Sequence, residues 1–185
     1  MTAGSTTRHI LTFALPLLIG NLFQQLYGSL GMAFTTYTGQ NIGAAKNERV
    51  KAGFRTSTLT ALLFSIALIP LCFLTGKLII GAFVKDSGVI ALGVEGLRID
   101  CIFYFALGMI YVARSILNGC GDAGFALFNG MTEVVCRILY SQLFIRIPAP
   151  GYRGIWITTG ATWTTTAVVC VIRYCSGKWR KAAHY

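Results

Sequence analysis

Hydrophobic positions along the chain fall into long stretches with few or no charges, separated by short polar segments. The first stretch covers residues 10–45 and contains no charged side chain. Four more follow, at residues 56–76, 99–118, 124–145 and 154–172. Because about 20 apolar residues in a helix cross the hydrocarbon of a bilayer, the pattern predicts an all-α membrane protein with about five transmembrane helices.

The first stretch is too long for one upright helix and short for two. Kinks or turns can form at four positions, Pro16, Gly20, Gly28 and Gly31. Two alternatives stay open for this N-terminal hydrophobic segment, residues 1–45: one kinked span, or a re-entrant hairpin. The remainder divides into a basic cytoplasmic loop at 46–55, a four-helix transmembrane region at 56–176 and a basic cytoplasmic tail at 177–185.

Composition and charge support a membrane location. Hydrophobic residues make up 55% of the chain and charged residues 12%, against roughly 25% charged in soluble domains. The 16 Lys and Arg outnumber the 6 Asp and Glu, but they cluster in loops beside apolar spans rather than on an aromatic-basic platform. We therefore expect the lipid bilayer as a partner, and no nucleic acid.

The distribution of Lys and Arg predicts the orientation. Eight lie in the 46–55 loop and in the tail from residue 173, against five in the segments on the opposite side. Since the basic side faces the cytoplasm, we expect a multi-pass protein of the cell (inner or plasma) membrane with a cytoplasmic C-terminus.

Enzyme chemistry and metal binding find no support in the sequence. It contains no P-loop, no G-x-S-x-G and no H-E-x-x-H motif. The two histidines, His9 and His184, lie at opposite ends, and the six cysteines form no C-x-x-C pair. We expect neither an enzyme, nor a bound metal, nor a cofactor.

Charged residues inside the spans are the strongest functional signal, because an ionisable group in lipid is costly. Glu133 and Arg137 are spaced i, i+4, which places them on one helix face. They form either a structural pair or a proton- or cation-responsive pair that lines a cavity. Structural roles are expected for three further residues: snorkelling to the headgroups for Arg114, an interfacial position for Asp100 and a helix cap for Asp122.

Uncharged polar residues offer a second set of candidates. Thr38, Gln40 and Asn41 lie at the polar end of the first stretch. Such side chains either hydrogen-bond across helices or line a polar path. Trp163 lies in the middle of the last stretch, where it either packs in the core or contacts a substrate.

Several segments together resemble one transporter family. Residues 14–27 (ALPLLIGNLFQQLY) are similar to the opening of the first helix of multidrug and toxic-compound extrusion (MATE) transporters. Residues 31–46 (GMAFTTYTGQNIGAAK), followed by ERVKAG, resemble the end of that family's eighth helix. Later landmarks of the family resemble residues 93–99, 118–122 and 154–156.

The resemblance implies an antiporter that exports cationic or amphipathic compounds in exchange for H⁺ or Na⁺. Complete members have twelve spans in two lobes around a substrate cavity. By this resemblance, the chain joins the start of the family's first helix directly to helices eight to twelve. The join lies between Tyr27 and Gly31, and the chain would form a partial MATE-like lobe. The family's first helix usually carries a coupling Asp, but residues 10–45 contain no acid. Glu133 and Arg137 fall where one bacterial branch also carries an acid and an arginine.

Two functions follow as alternatives. In the first, the chain is an antiporter that completes its substrate cavity by self-association or with a complementary transporter fragment, since alternating access needs two lobes. In the second, it is a membrane remnant that inserts but transports nothing.

Overall fold

A computed structural model describes residues 28–83, 85–147 and 151–179. They form a bundle of α-helices with no strand in any of these three ranges. The first helix, α1, covers residues 28–43, and five more follow: α2 (Asn47–Gly81), α3 (Ser87–Ile102), α4 (Tyr104–Gly119), α5 (Ala123–Arg146) and α6 (Gly154–Cys175). The prediction of an all-α protein is confirmed. The alternatives for residues 1–45 depend largely on residues 1–27, which lie outside the described residues.

Two of the described helical segments are long and apolar enough to cross a membrane by themselves. These are α2, with a mean hydropathy of 2.2 in its most apolar window, and the segment Gly151–Cys175, with 1.4. Helices α3 and α4 taken together are also long and apolar enough to cross a membrane, as one span bent by 49°. Two or three candidate spans therefore support the expected membrane protein. The expected number of about five transmembrane helices stays a prediction.

The basic segment expected as a loop at 46–55 is helical from residue 47 onwards. Helix α1 ends at a turn in which Ala45 has a positive φ of 54°, and α2 begins directly afterwards at Asn47. Residues 47–55 contain no proline, and their lysines and arginines are good helix formers. The connection between the first two helices is therefore a short turn.

The expected span at 99–118 is broken near its start. Helix α3 ends at Ile102 and α4 begins at Tyr104, so Phe103 lies at the bend. A methyl group on Gly160 of α6 would overlap the Phe103 ring, and one on Gly96 of α3 would overlap the Trp156 indole. Two aromatic rings thus pack against glycines at the contact between α6 and the bent pair of helices α3 and α4.

Helix α4 lies at the centre of the bundle. Eight of its residues are buried, and its side chains Val112, Ile116 and Leu117 form a core cluster with Val50 and Ala61 of α2. At one end, Phe54, Tyr174 and Trp179 form an aromatic stack: the first two rings are 3.9 Å apart at 12°, and the last two are 5.7 Å apart at 7°. This stack joins the ends of α2 and α6.

Candidate functional site

Three charged side chains meet at the contact between α4 and α5. Glu133 Oε1 lies 3.5 Å from Arg137 Nη2, as the i, i+4 spacing predicts. Its other oxygen, Oε2, lies 3.5 Å from Nη2 of Arg114. Each carboxylate oxygen therefore faces one guanidinium. We call Arg114, Glu133 and Arg137 the charge cluster.

Arg114 forms an ion pair in addition to the role expected for it, and snorkelling to the headgroups stays a prediction. Its side chain is 31% exposed and contacts Glu133. Helical side chains lean towards the N-terminus of their own helix, which directs Arg114 away from the α4–α5 turn and along the antiparallel α5. A partner 19 residues away cannot be identified from local spacing.

Asn129 belongs to the same face of α5 and was missed by the sequence analysis. It lies four residues before Glu133 and is 0% exposed, although asparagine is rarely fully buried. Neither its Oδ1 nor its Nδ2 has a hydrogen-bond partner among the described residues, and the same holds for the buried Nε of Arg114. The i, i+4 spacing to Glu133 is the sequence signal for this residue.

The predicted polar strip is divided between two faces of α1. Thr38 and Asn41 are buried, at 1% and 7% exposure, whereas Gln40 is exposed. The Asn41 amide donates to the carbonyl of Tyr37 at 2.8 Å. Thr38 packs against Gly119, where an added Cβ would lie 2.7 Å from the Thr38 Cβ. Thr38 and Asn41 thus face the bundle, and Gln40 does not join them.

Asp122 does not cap α5 with its side chain, so that expectation is wrong. It precedes the helix, but no side-chain capping bond forms. The carboxylate instead accepts a hydrogen bond from Arg173 Nε at 2.7 Å, and the Asp122 side chain is 10% exposed. A charged donor on α6 competes successfully for the oxygen because charge-assisted hydrogen bonds are the stronger kind.

Asp100 lies three residues before the bend at Phe103. Its Oδ1 is buried without a hydrogen-bond partner among the described residues. The interfacial position that we expect for it stays a prediction.

Trp163 is half-buried and packs against the core cluster of Met109, Ile110 and Ala167. Its ring is 6.4 Å from that of Tyr104. These contacts account for its packing, and the possible contact with a substrate stays a prediction.

A small apolar pocket lies between α1, α2 and α4. Its volume is about 50 Å³, and its lining includes Phe34, Ala61 and Val112. Drug-sized ligands occupy pockets of about 300–1,000 Å³, so this one is too small for such a molecule. The described residues also contain no group of three or more His, Cys, Asp or Glu placed to hold a metal ion.

Comparison with known proteins decides the family. The sequence profile of the MatE family matches residues 10–143, well over half of the chain. The chain belongs to the MatE family. The match includes α1 to α4 and most of α5, and with them all three residues of the charge cluster. Membership in MatE makes the chain a membrane protein of a transporter family rather than an enzyme family, and the resemblance seen in the sequence is confirmed.

Three relatives are similar to this MatE chain. A probable multidrug resistance protein NorM of Pasteurella multocida is 27% identical over 150 residues, 78% of this chain and 32% of the relative. The NorM protein of Thermotoga maritima is 24% identical, covering 87% of this chain and 35% of the relative. A probable multidrug resistance protein YpnP of Bacillus subtilis is 23% identical, covering 81% and 34%.

The chain spans about a third of the length of these relatives. No solved structure matches it. The parts of a complete MatE transporter to which its helices correspond stay a prediction.

Proposed function

We propose that the chain acts in multidrug efflux, as part of an antiporter that exports small cationic or amphipathic compounds in exchange for H⁺ or Na⁺. The observation that carries this proposal is the MatE match over residues 10–143. It is supported by relatives whose names describe probable multidrug resistance proteins. The protein would lie in the cell membrane with a cytoplasmic C-terminus, as the distribution of Lys and Arg favours.

Glu133 is our candidate for cation coupling. A carboxylate between two arginines is held in a defined position within the bundle, and a residue of this kind inside a membrane protein is a functional candidate by default. Arg137 would balance the charge of Glu133, since its Nη2 lies 3.5 Å from Glu133 Oε1. The Arg137 side chain is 49% exposed, so it can move when the coupling ion binds. Thr38, Gln40 and Asn41 are candidates for a polar path, and Trp163 for a substrate contact.

The substrate cavity would form between this bundle and a second set of helices. The pocket of about 50 Å³ beside α1 cannot hold a drug-sized molecule, and alternating access moves two lobes about a central site. The second set would come from another copy of the chain or from a complementary transporter fragment. The alternative is a chain that inserts into the membrane and transports nothing.

Efflux of a fluorescent cation from drug-sensitive cells tests the proposal. Cells that express the chain should lose the dye faster than cells with an empty vector, and Glu133→Gln should reduce the difference at least about tenfold because the coupling acid is gone. Glu48→Gln is the matched control: this acid is 84% exposed and pairs with Lys51 at the start of α2.

Two results would contradict this proposal in different ways. Efflux equal to the empty vector, with the chain present in the membrane fraction, favours the non-transporting alternative. Efflux that Glu133→Gln leaves unchanged would retain transport and reject Glu133 as the coupling residue.

A further inference from the structure

Two cysteines face each other across the contact between α2 and α3. Cys72 lies in α2 and Cys101 in α3, and both are buried, at 7% and 1% exposure. Their thiols lie within hydrogen-bonding range of each other, and both are free cysteines. We call Cys72 and Cys101 the cysteine pair. Nothing in the proposed transport function uses it.

The packing of α2 against α3 explains why these two positions meet. A Cβ added to Gly93 of α3 would lie 3.0 Å from Ile80 of α2, and one added to Gly76 of α2 would lie 3.2 Å from Leu97 of α3. The two helices are therefore antiparallel here, because residue numbers fall along α2 while they rise along α3. One further turn in the same register leads to the cysteine pair.

A second contact keeps the two helices close at this point. The Arg98 guanidinium of α3 lies 5.1 Å from the centre of the Phe73 ring of α2. Gly76, one turn from Cys72, lets the backbones approach each other, as small residues do between membrane helices. A disulfide requires Cα atoms about 4.4–6.8 Å apart, so a close crossing of this kind is the place where one can form between helices.

The two thiols differ in their surroundings. Cys101 is almost fully enclosed, and its Sγ donates to the carbonyl of Arg98 at 3.2 Å. Cys72 keeps a little exposed surface, and its neighbours Leu71 and Phe73 are 45% and 42% exposed. A small oxidant that reaches the apolar surface of α2 therefore meets Cys72 first, with the second thiol directly behind it.

Other buried thiols of the chain have different neighbours. Cys120 and Cys170 are also buried, but the side chains that interact with their thiols are charged groups rather than a second thiol. A buried thiol by itself acts as a small hydrophobic group. A pair of thiols in contact differs, because an oxidised sulfur on one is captured by the other as a disulfide.

We propose that Cys72 and Cys101 form a reversible disulfide between α2 and α3, with hydrogen peroxide as the oxidant. The Cys72 sulfur attacks one peroxide oxygen, the O–O bond breaks, and the thiol proton leaves with the other oxygen as water. The Cys101 sulfur then attacks the Cys72 sulfenic acid. The S–S bond forms, the S–O bond breaks, and the Cys101 proton leaves with the hydroxyl as a second water. Two thiols are oxidised and one peroxide is reduced.

The bridge would tie α2 to α3 two residues before the bend at Phe103. Attack by the thiolate of a dithiol reductant would open it again through a mixed disulfide. The proposal does not depend on efflux, so its test requires no transport.

Mass spectrometry of the purified full chain in detergent tests the bridge. The reduced chain is treated with hydrogen peroxide, the remaining thiols are blocked with N-ethylmaleimide in SDS, and the chain is digested. We expect a fragment that joins the segments around Cys72 and Cys101 and that dithiothreitol separates. Because the bridge closes residues 72–101 into a loop and constrains the unfolded chain, oxidation should also raise the midpoint of thermal unfolding by about 5 °C.

Single serine variants assign the roles of the two thiols. Cys72→Ser should remove both the joined fragment and the rise of the midpoint. Cys101→Ser should also remove both, but it should leave a sulfenic acid on Cys72 that dimedone traps, since no second thiol captures it. Cys136→Ser, in α5, is the control and should keep both effects.

Three results would contradict the proposal. Equal reaction of both cysteines with N-ethylmaleimide before and after peroxide treatment would mean that no bridge forms. A bridge that forms only when peroxide is added to the chain already unfolded in SDS would reflect chance pairing. Dimedone on Cys101 of Cys72→Ser, with none on Cys72 of Cys101→Ser, would reject the order of attack.

Discussion

Asp122 joins the first turn of α5 to the last turn of α6. Its carboxylate accepts a hydrogen bond from Arg173 Nε at 2.7 Å, and the Arg173 guanidinium also lies 5.4 Å from the ring of Phe125. The Asp122 side chain is 10% exposed and the Arg173 side chain 26% exposed. Shielded ion pairs of this kind lose more when one partner is removed than exposed pairs do.

Replacement of Asp122 by serine distinguishes the ion pair from a helix cap. Serine is among the best capping residues but cannot pair with Arg173. We expect Asp122→Ser to lower the free energy of unfolding by about 1–2 kcal/mol, with Arg173→Gln similar and the double variant no worse than either. Thermal unfolding in detergent measures all three.

An exposed pair provides the control for this cycle. Lys51→Gln breaks the ion pair with Glu48, which is 84% exposed, and should change the free energy of unfolding by less than about 0.5 kcal/mol. If Asp122→Ser were as stable as the wild type, Asp122 would act through capping or not at all.

For single residues, the sequence predicts side-chain contacts within one helix but not side-chain contacts between helices. The Glu133–Arg137 pair follows from i, i+4 spacing alone. Arg114 reaches Glu133 only because α4 turns that side towards α5, and tertiary packing determines that choice. Asp122 carries the signature of a cap, but a residue 51 positions away takes its oxygen.

Helices α1 and α4 approach closely where Gly119 faces Thr35 and Thr38. A Cβ on Gly119 would lie 2.5 Å from the Thr35 carbonyl oxygen and 2.7 Å from the Thr38 Cβ. The Thr35 hydroxyl also donates to the Ser115 carbonyl at 3.0 Å. Small residues and hydroxyl groups at such crossings are typical of helix packing in membranes.

Alanine at Gly119 should therefore separate α1 from α4. We expect Gly119→Ala to lower the free energy of unfolding by about 1–3 kcal/mol, because backbone atoms must shift to admit the methyl group. Gly130→Ala is the matched control: Gly130 lies within α5 with nothing within 4 Å of an added Cβ, and alanine should stabilise this helix by up to about 1 kcal/mol. Equal effects of the two variants would contradict the close contact.

Element boundaries follow the sequence where charges or turn residues mark them. The turn before α5, at residues 120–122, falls within the Gly-rich segment 118–122. The bend at Phe103 carries no proline or glycine, so the sequence offers no signal for it. The segment at 46–55 is polar enough to read as a loop, yet polarity alone does not stop a helix.

At the scale of the whole molecule, the reactivity of two cysteine thiols can show which side of the membrane the C-terminal end faces. Cys175 is exposed at the end of α6, whereas Cys120 is buried after α4. Burial raises the pKa of the Cys120 thiol to about 12, so it carries almost no reactive thiolate at neutral pH. Both residues lie on the side that we expect to face the cytoplasm.

A membrane-impermeant maleimide should therefore label Cys175 in inside-out vesicles and not in intact cells. Cys120 should stay unlabelled in both preparations, and Cys175→Ser should remove the signal. Mass spectrometry of the labelled chain identifies the modified thiol. Labelling of Cys175 in intact cells would reverse the orientation that the Lys and Arg distribution favours.

The bent pair also limits how the bundle can move. The ring of Phe103 lies against Gly160. Straightening the 49° bend would move this ring away from Gly160 and leave a void beside α6. Voids in packed interiors are costly. The contact between Phe103 and Gly160 therefore holds the angle between α3 and α4 fixed. In any rocking motion, α3, α4 and α6 would move together as one rigid unit.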